Sequence, residues 1–131
     1  MFVTDTHPLV WYINGDFSKI SEKVRLAFDQ TETAETVIYV PAVVLWEIAI
    51  LEKLGRIRLN DRFDRWANNV MSIKGLEAAP LEIEYIHRAV GYGEHGDPFD
   101  DLIVATAFHL EHPLITKDIT ITDSKLVDVY W

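Results

Sequence analysis

Four carboxylates and one histidine fall within eight residues, Glu94-His95-Gly96-Asp97-Pro98-Phe99-Asp100-Asp101, directly before the apolar run Leu102-Ile103-Val104-Ala105-Thr106-Ala107-Phe108. Two chemistries account for acids in such a place. Asp97 followed by Pro98 reads as the N-cap and first residue of a helix, and Asp100 then takes the third helical position. Acids there satisfy free backbone N–H groups and favour the positive end of the helix dipole. Carboxylates are equally ligands for a hard divalent cation, so the isolated acids elsewhere bear on the choice. Asp5 follows the short apolar run Met1–Thr4, and Asp118 follows Leu114-Ile115-Thr116. Each reads as a residue just past a strand, where a lone acid is otherwise a loop residue or a helix cap. Glu47 interrupts Val43-Val44-Leu45-Trp46-Glu47-Ile48-Ala49-Ile50-Leu51, a segment apolar almost all round. A helix of that kind is largely buried, and an ionised carboxylate is costly in it unless paired or bound to a cation. The plainer account of Glu47 is a narrow solvated stripe.

Taken together, these acids point to a site for a hard cation, Mg²⁺ or Mn²⁺. Oxygen ligands suit such ions, and no histidine pair at ligand spacing competes for zinc. Two ions of this type can activate a water and stabilise the leaving oxygen of a phosphodiester. Clustered carboxylates without a cation repel, raise one another's pKa and cost stability. Metal binding explains that cost more readily than folding does.

The elements that must position the acids alternate. Met1–Thr4 reads as a strand, and Thr6-His7-Pro8 starts a short helix through Leu9 to Tyr12. Ser21 caps a helix from Glu22 to Asp29 with Val24, Ala27 and Phe28 on one face. Val37–Val40 is a β-branched, aromatic run and reads as a buried strand. A helix from Ala42 to Leu54 follows Pro41 and is closed by Gly55. Asn60 or Asp61 caps another, to about Ile73. Glu82–Val90 is helical, with Ile83, Ile86 and Val90 at helical spacing, and Gly91-Tyr92-Gly93 releases it. The central helix runs from Pro98 to about Glu111. Pro113–Thr116 and Val127–Tyr130 read as strands. This alternation predicts an α/β fold: a parallel sheet with helices on both faces. In such sheets ligands gather beyond the carboxyl ends of the strands, where Asp5 and Asp118 would share a crevice.

Composition narrows the function classes. A chain of 131 residues with 49% hydrophobic content supports one domain, expected to span residues 1–131. The absence of cysteine excludes thiolate metal sites and a cysteine nucleophile, and fits a reducing cytoplasm. Apolar runs fall well short of the roughly 18 residues that a membrane span needs, and no secretory leader is recognisable. A net charge of −9 opposes broad attraction to nucleic acid, so a polyanion requires metal ions or a local basic patch.

Several stretches carry a family resemblance. Val3-Thr4-Asp5-Thr6-His7-Pro8-Leu9-Val10-Trp11, Val44-Leu45-Trp46-Glu47-Ile48-Ala49-Ile50, His95-Gly96-Asp97-Pro98-Phe99-Asp100 and Leu114-Ile115-Thr116-Lys117-Asp118 occur in an order and spacing that resemble a PIN-domain ribonuclease of the VapC type, the toxin of a toxin–antitoxin pair. The closing Val129-Tyr130-Trp131 fits as well. The resemblance implies a PIN-like three-layer fold, with a central parallel sheet flanked by helices on both faces. It implies an acidic quartet, Asp5, Glu47, Asp100 and Asp118, serving as catalytic residues and metal ligands, with Thr116 as a supporting hydroxyl. It further implies Mg²⁺-dependent cleavage of RNA, a homodimer, and a cognate antitoxin that occludes the site. Asp97 is a further supporting acid. Asp101 departs from the family pattern, which commonly has Arg or another non-acid there, and either supports the ligands or faces solvent.

One stretch bears on the substrate independently. Lys53, Arg56, Arg58, Arg62 and Arg65 are five of the chain's 12 basic residues, and they follow closely on the Glu47 helix. They form either a lip that tracks RNA phosphates or a solvated face with pairs such as Asp61 with Arg65. Other classes fit less well. A phospho-acceptor receiver lacks its acidic pair after the first strand. A phosphatase lacks a second aspartate two residues after Asp5, because position 7 is His7. A catalytically inactive PIN-like module that binds RNA or protein is the stronger rival.

Overall fold

A computed structural model describes residues 1–93 and 96–131; Glu94 and His95, from the acid-rich stretch, lie outside them. Among the described residues, five parallel strands form one sheet: β1 (Phe2–Thr4), β2 (Ile38–Pro41), β3 (Leu76–Ala79), β4 (Leu114–Ile115) and β5 (Val129–Tyr130). Their spatial order is β3-β2-β1-β4-β5. Seven α-helices among the described residues join them: α1 (Thr6–Ile13), α2 (Glu22–Asp29), α3 (Ala42–Lys53), α4 (Phe63–Met71), α5 (Ile83–Val90), α6 (Pro98–Leu110) and α7 (Ile119–Ser124). The expected α/β fold is borne out.

The topology decides where a ligand can sit. From β1 the chain moves outward to β2 and β3, then crosses back to β4 and on to β5. Among the helices, α1 packs against α3, and both α3 and α5 pack against α6. β1 and β4 pair directly, Val3 with Leu114 and Thr4 with Ile115, yet their onward connections run in opposite directions. A crevice opens at that switch point beyond their carboxyl ends. The strand residues beneath it, Val3, Ile38, Val40, Leu114 and Ile115, are fully buried. That is why the strands read as short continuous apolar runs without alternation.

Local sequence accounts for most elements. Ser21 accepts a hydrogen bond from the Val24 N–H and caps α2. Gly55 sits at φ +72° after α3, a conformation that suits glycine at a helix end. One expected boundary shifts, and two elements lie outside the sequence reading. α4 starts at Phe63, after Arg62, because the Asp61 carboxylate accepts the Arg62 N–H and so turns the chain before the helix. β3 and α7 are the two elements that the sequence reading does not contain. Leu76-Glu77-Ala78-Ala79 is made of helix formers, yet it pairs along its length with β2. Gly75 permits this by lying against the chain before β2: a Cβ there would stand 2.3 Å from the Thr36 carbonyl oxygen. In α7 the two threonines argue against helix, and Asp118 supplies the cap that outweighs them.

Candidate active site

The crevice is a cavity of about 430 Å³ that brings five of the singled-out acids together: Asp5, Glu47, Asp97, Asp100 and Asp118. Its other lining residues are His7, Pro8, Trp11 and Lys117. No helix of the described chain is long and apolar enough to cross a membrane.

Capping and site formation turn out to be one device. Asp5 caps α1, Asp97 caps α6 and Asp118 caps α7. Three helix N-termini thus converge on the cavity, each holding its acid by a hydrogen bond to Oδ1. The Asp5 Oδ1 accepts the Thr6 N–H at 2.7 Å, the Asp97 Oδ1 accepts those of Phe99 at 2.8 Å and Asp100 at 3.3 Å, and the Asp118 Oδ1 accepts that of Ile121 at 3.0 Å. A carboxylate oxygen has two lone pairs, so a capping acid keeps acceptor capacity for a second partner. The expected N-cap role of Asp97, with Pro98 and Asp100 following it in the first turn, is observed.

Threonine hydroxyls orient the deeper acids. The Asp5 N–H donates to the Ile115 carbonyl at 3.0 Å, which extends the β1–β4 pairing and sets Asp5 beside Thr116. The buried Thr116 hydroxyl then donates to the Asp5 Oδ2 at 2.6 Å and accepts the Asp118 N–H at 3.1 Å, linking the two acids across the switch point. On α1, the buried Thr6 hydroxyl donates to the Glu47 Oε1, tying α1 to α3 at the cavity wall. Sequence reasoning missed Thr6; its signal is a hydroxyl residue directly after a capping acid, at a position too near the sheet to be solvated.

The electrostatics are those of crowded acids. Burial pushes the Asp5 carboxyl above its ordinary value, opposed by the hydrogen bonds from Thr116 and Thr6 and by nearby His7. Burial also raises Glu47, with Thr6 opposing and Asp5 and Asp97 adding to the rise. Asp100 is pushed up to about 7, first by burial and then by Asp5, Asp97, Asp118 and Glu47 together. Each of the other four acids therefore acts on Asp100, as like charges sharing one low-dielectric opening must.

Among the described residues, no three acids or histidines converge closely enough to form a ready-made metal cage. The side chains stand around a common opening. The donor set still fits a hard cation: it is all carboxylate and hydroxyl oxygen, and its mutual repulsion is what a bound divalent ion relieves.

Asp101 lies elsewhere. Its carboxylate backs onto Gly96 and lines a smaller opening with Ile86, Val90 and Leu102, on the α5 side. Burial and Asp97 raise it. The basic residues Lys53, Arg56, Arg58, Arg62 and Arg65 do not line the acidic cavity. The Arg58 carbonyl accepts from Asn14 at the far end of α1, about 12 Å along an eight-residue helix. Arg62 pairs with Asp64 at 3.3 Å. The cavity's own basic lining is His7 and Lys117.

The comparisons with known proteins agree with this architecture. A model of the PIN domain family matches residues 2–123, and the chain belongs to that family. No curated protein matches the chain significantly in sequence. Among solved structures, VapBC2 from Rickettsia felis, bound to a DNA fragment from its promoter, superposes with a TM-score of 0.70 at 14% identity, covering 98% of this chain and 96% of the other. FitAB bound to the IR36 DNA fragment gives 0.59 at 16% identity, with coverage of 99% and 94%. A toxin–antitoxin complex from Klebsiella pneumoniae gives 0.58 at 15% identity, with coverage of 90% and 87%. At these identities the likeness is one of fold.

Proposed function

We propose that the chain is a Mg²⁺-dependent endoribonuclease, with Mn²⁺ as a substitute, acting as the toxin of a toxin–antitoxin pair. The observation that carries this reading is the acid-lined cavity at the β1–β4 switch point, in which Asp100 is pushed up to about 7 by its acidic neighbours. Asp5, Glu47, Asp100 and Asp118 would hold the metal. A divalent ion bound there supplies the charge that activates a water and stabilises the leaving oxygen of a phosphodiester. The chain's own residues do the positioning. Thr116 holds Asp5 and the turn to Asp118, Thr6 holds Glu47, and Asp97 fixes the first turn of α6 so that Asp100 projects from it. Lys53, Arg56, Arg58, Arg62 and Arg65 would meet the RNA backbone away from the scissile phosphate.

The test is cleavage of a labelled single-stranded RNA. Cleavage in Mg²⁺ should vanish in EDTA and return when excess Mg²⁺ is added. Unchanged cleavage in EDTA overturns the reading, and RNA binding without cleavage would mark an inactive module.

One of the fold relatives is a toxin–antitoxin complex, from Klebsiella pneumoniae, which supports a cognate antitoxin as partner. Such a partner would lay an amphipathic helix on the toxin and present a Lys or Arg to the acidic cavity. A homodimer draws support from α5. Ile83, Ile86 and Val90, expected at helical spacing, are exposed, and so is Phe108 of the neighbouring α6, whose ring the Arg88 guanidinium overlies. An apolar helix face of this kind marks an interaction surface. Sedimentation should give a dimer for the wild type at micromolar concentration and a monomer for Val90→Glu. A monomeric wild type counts against the dimer.

A further inference from the structure

One wall of the acidic cavity is not acidic. His7 and Trp11, one helical turn apart on α1, line it together with Lys117 from the β4–α7 turn. Their rings make a continuous aromatic surface. The His7 and Trp11 centroids lie 5.6 Å apart at 46°, and Trp131 meets Trp11 edge-on at 6.3 Å. Lys117 Nζ stands 5.9 Å from the Trp131 ring centroid. Trp11 is half-buried: it packs against the core on one side and reaches the cavity on the other. His7 and Lys117 are exposed.

A wall built this way answers a specific need. The carboxylates facing it repel a phosphate, so without an added cation nothing on that side holds a nucleic-acid chain. Stacking on an indole is indifferent to that charge and available to every nucleobase. It also requires the base to be unstacked from its neighbours, which single-stranded RNA permits and a duplex opposes.

We infer that Trp11, with His7 beside it, is a stacking platform for one unpaired nucleobase adjacent to the scissile phosphate, and that Lys117 contacts the backbone phosphate of that nucleotide. The inference rests on the nuclease reading for its substrate class. Trp11 is then a binding and positioning residue, and the site selects single-stranded over double-stranded substrate by demanding a splayed base.

The experiment measures binding apart from catalysis. Single-stranded RNA of eight nucleotides is titrated in Ca²⁺, with tryptophan fluorescence and an independent anisotropy label as readouts. Wild type should bind with quenching. Trp11→Ala should bind about 10- to 100-fold more weakly, and Trp11→Phe within a few fold of wild type. A set of RNAs, each carrying one abasic sugar, should reproduce the Trp11→Ala loss in the wild-type protein at a single position. At that position it should add nothing further to Trp11→Ala. Lys117→Gln should weaken binding and reduce its salt dependence by about one phosphate contact. The abasic series uses wild-type protein, so it decides the matter even if Trp11→Ala fails to fold. Equal binding of all abasic RNAs overturns the stacking platform, whether or not the protein cleaves. Base-dependent binding with no cleavage in Mg²⁺ leaves the platform standing and removes the nuclease reading. Absence of any RNA binding removes both.

Discussion

Asp5→Asn is expected to lower RNA cleavage by on the order of 10³-fold while leaving the melting temperature unchanged or raised. The loss follows from charge, since an amide cannot supply the anionic oxygen that a divalent ion requires; metal stabilisation of the transition state is worth several kcal/mol, and each 1.36 kcal/mol is tenfold in rate. The stability side follows from burial. Asp5 is buried, and its carboxyl is raised chiefly by desolvation. A neutral side chain of the same shape removes that cost. Asparagine also caps a helix as well as aspartate does, so the Thr6 N–H keeps its acceptor. Thr116 can adapt by accepting from the new amide in place of donating to Oδ2. Wild-type cleavage by Asp5→Asn would remove Asp5 from the metal site. Loss of both activity and fold would assign it a structural role only.

The second expectation separates the two aspartates that open α6. Asp97 accepts two backbone N–H groups, whereas Asp100 is half-buried under the repulsion of four acids. Asp97→Ala should cost about 1 kcal/mol of stability. Asp97→Asn keeps the cap and should lose only part of the activity. Asp100→Asn should be nearly inactive, fail to bind metal by calorimetry, and be more stable than wild type in metal-free buffer. The pH dependence fixes the sign of that gain. The folded-state value of about 7 lies above the ordinary 3.8, so between them the folded protein holds a proton that the unfolded chain has released. Wild-type stability from this group is complete below pH 4 and is lost as pH rises through 7. Asp100→Asn should therefore match wild type at pH 4 and melt a few degrees higher at pH 8, a gain moderated by solvent at a half-exposed site. Added Mg²⁺ should close the gap by stabilising only the wild type. If Asp97→Asn loses metal and activity while Asp100→Asn keeps both, the ligand is one helical turn earlier than proposed.

These expectations show which parts of the molecule a linear reading reaches. The caps at Ser21 and Asp97 and the stop at Gly55 were legible because each depends on residues within a turn of itself. Strands β1, β2 and β4 were legible because sheet burial on both faces demands uninterrupted apolar runs. The acids were legible as an anomaly: Glu47 in an apolar helix and four carboxylates in eight residues have a cost that local structure does not repay. The family motifs spread over the chain link those acids without recourse to geometry.

Only the tertiary structure decided the rest. Leu76–Ala79 is a strand because β2 offers it a free edge and Gly75 lets the backbones meet, neither of which the segment's own propensities contain. Asp101 is separated from Asp100 by a single peptide bond, yet a 100° step around α6 turns it from the acidic cavity toward α5. Thr6 and Glu47 meet across 41 residues, and Thr116 and Asp5 across 111. Ile83, Ile86 and Val90 have the spacing of a core face and are left at the surface, because Ala89 takes the buried position of α5. Residue types set the chemistry this chain contains, since charge, size and hydrogen-bonding capacity belong to each side chain alone. Which of them share one opening was decided by the reversal of strand order between β1 and β4, a property of the whole sheet.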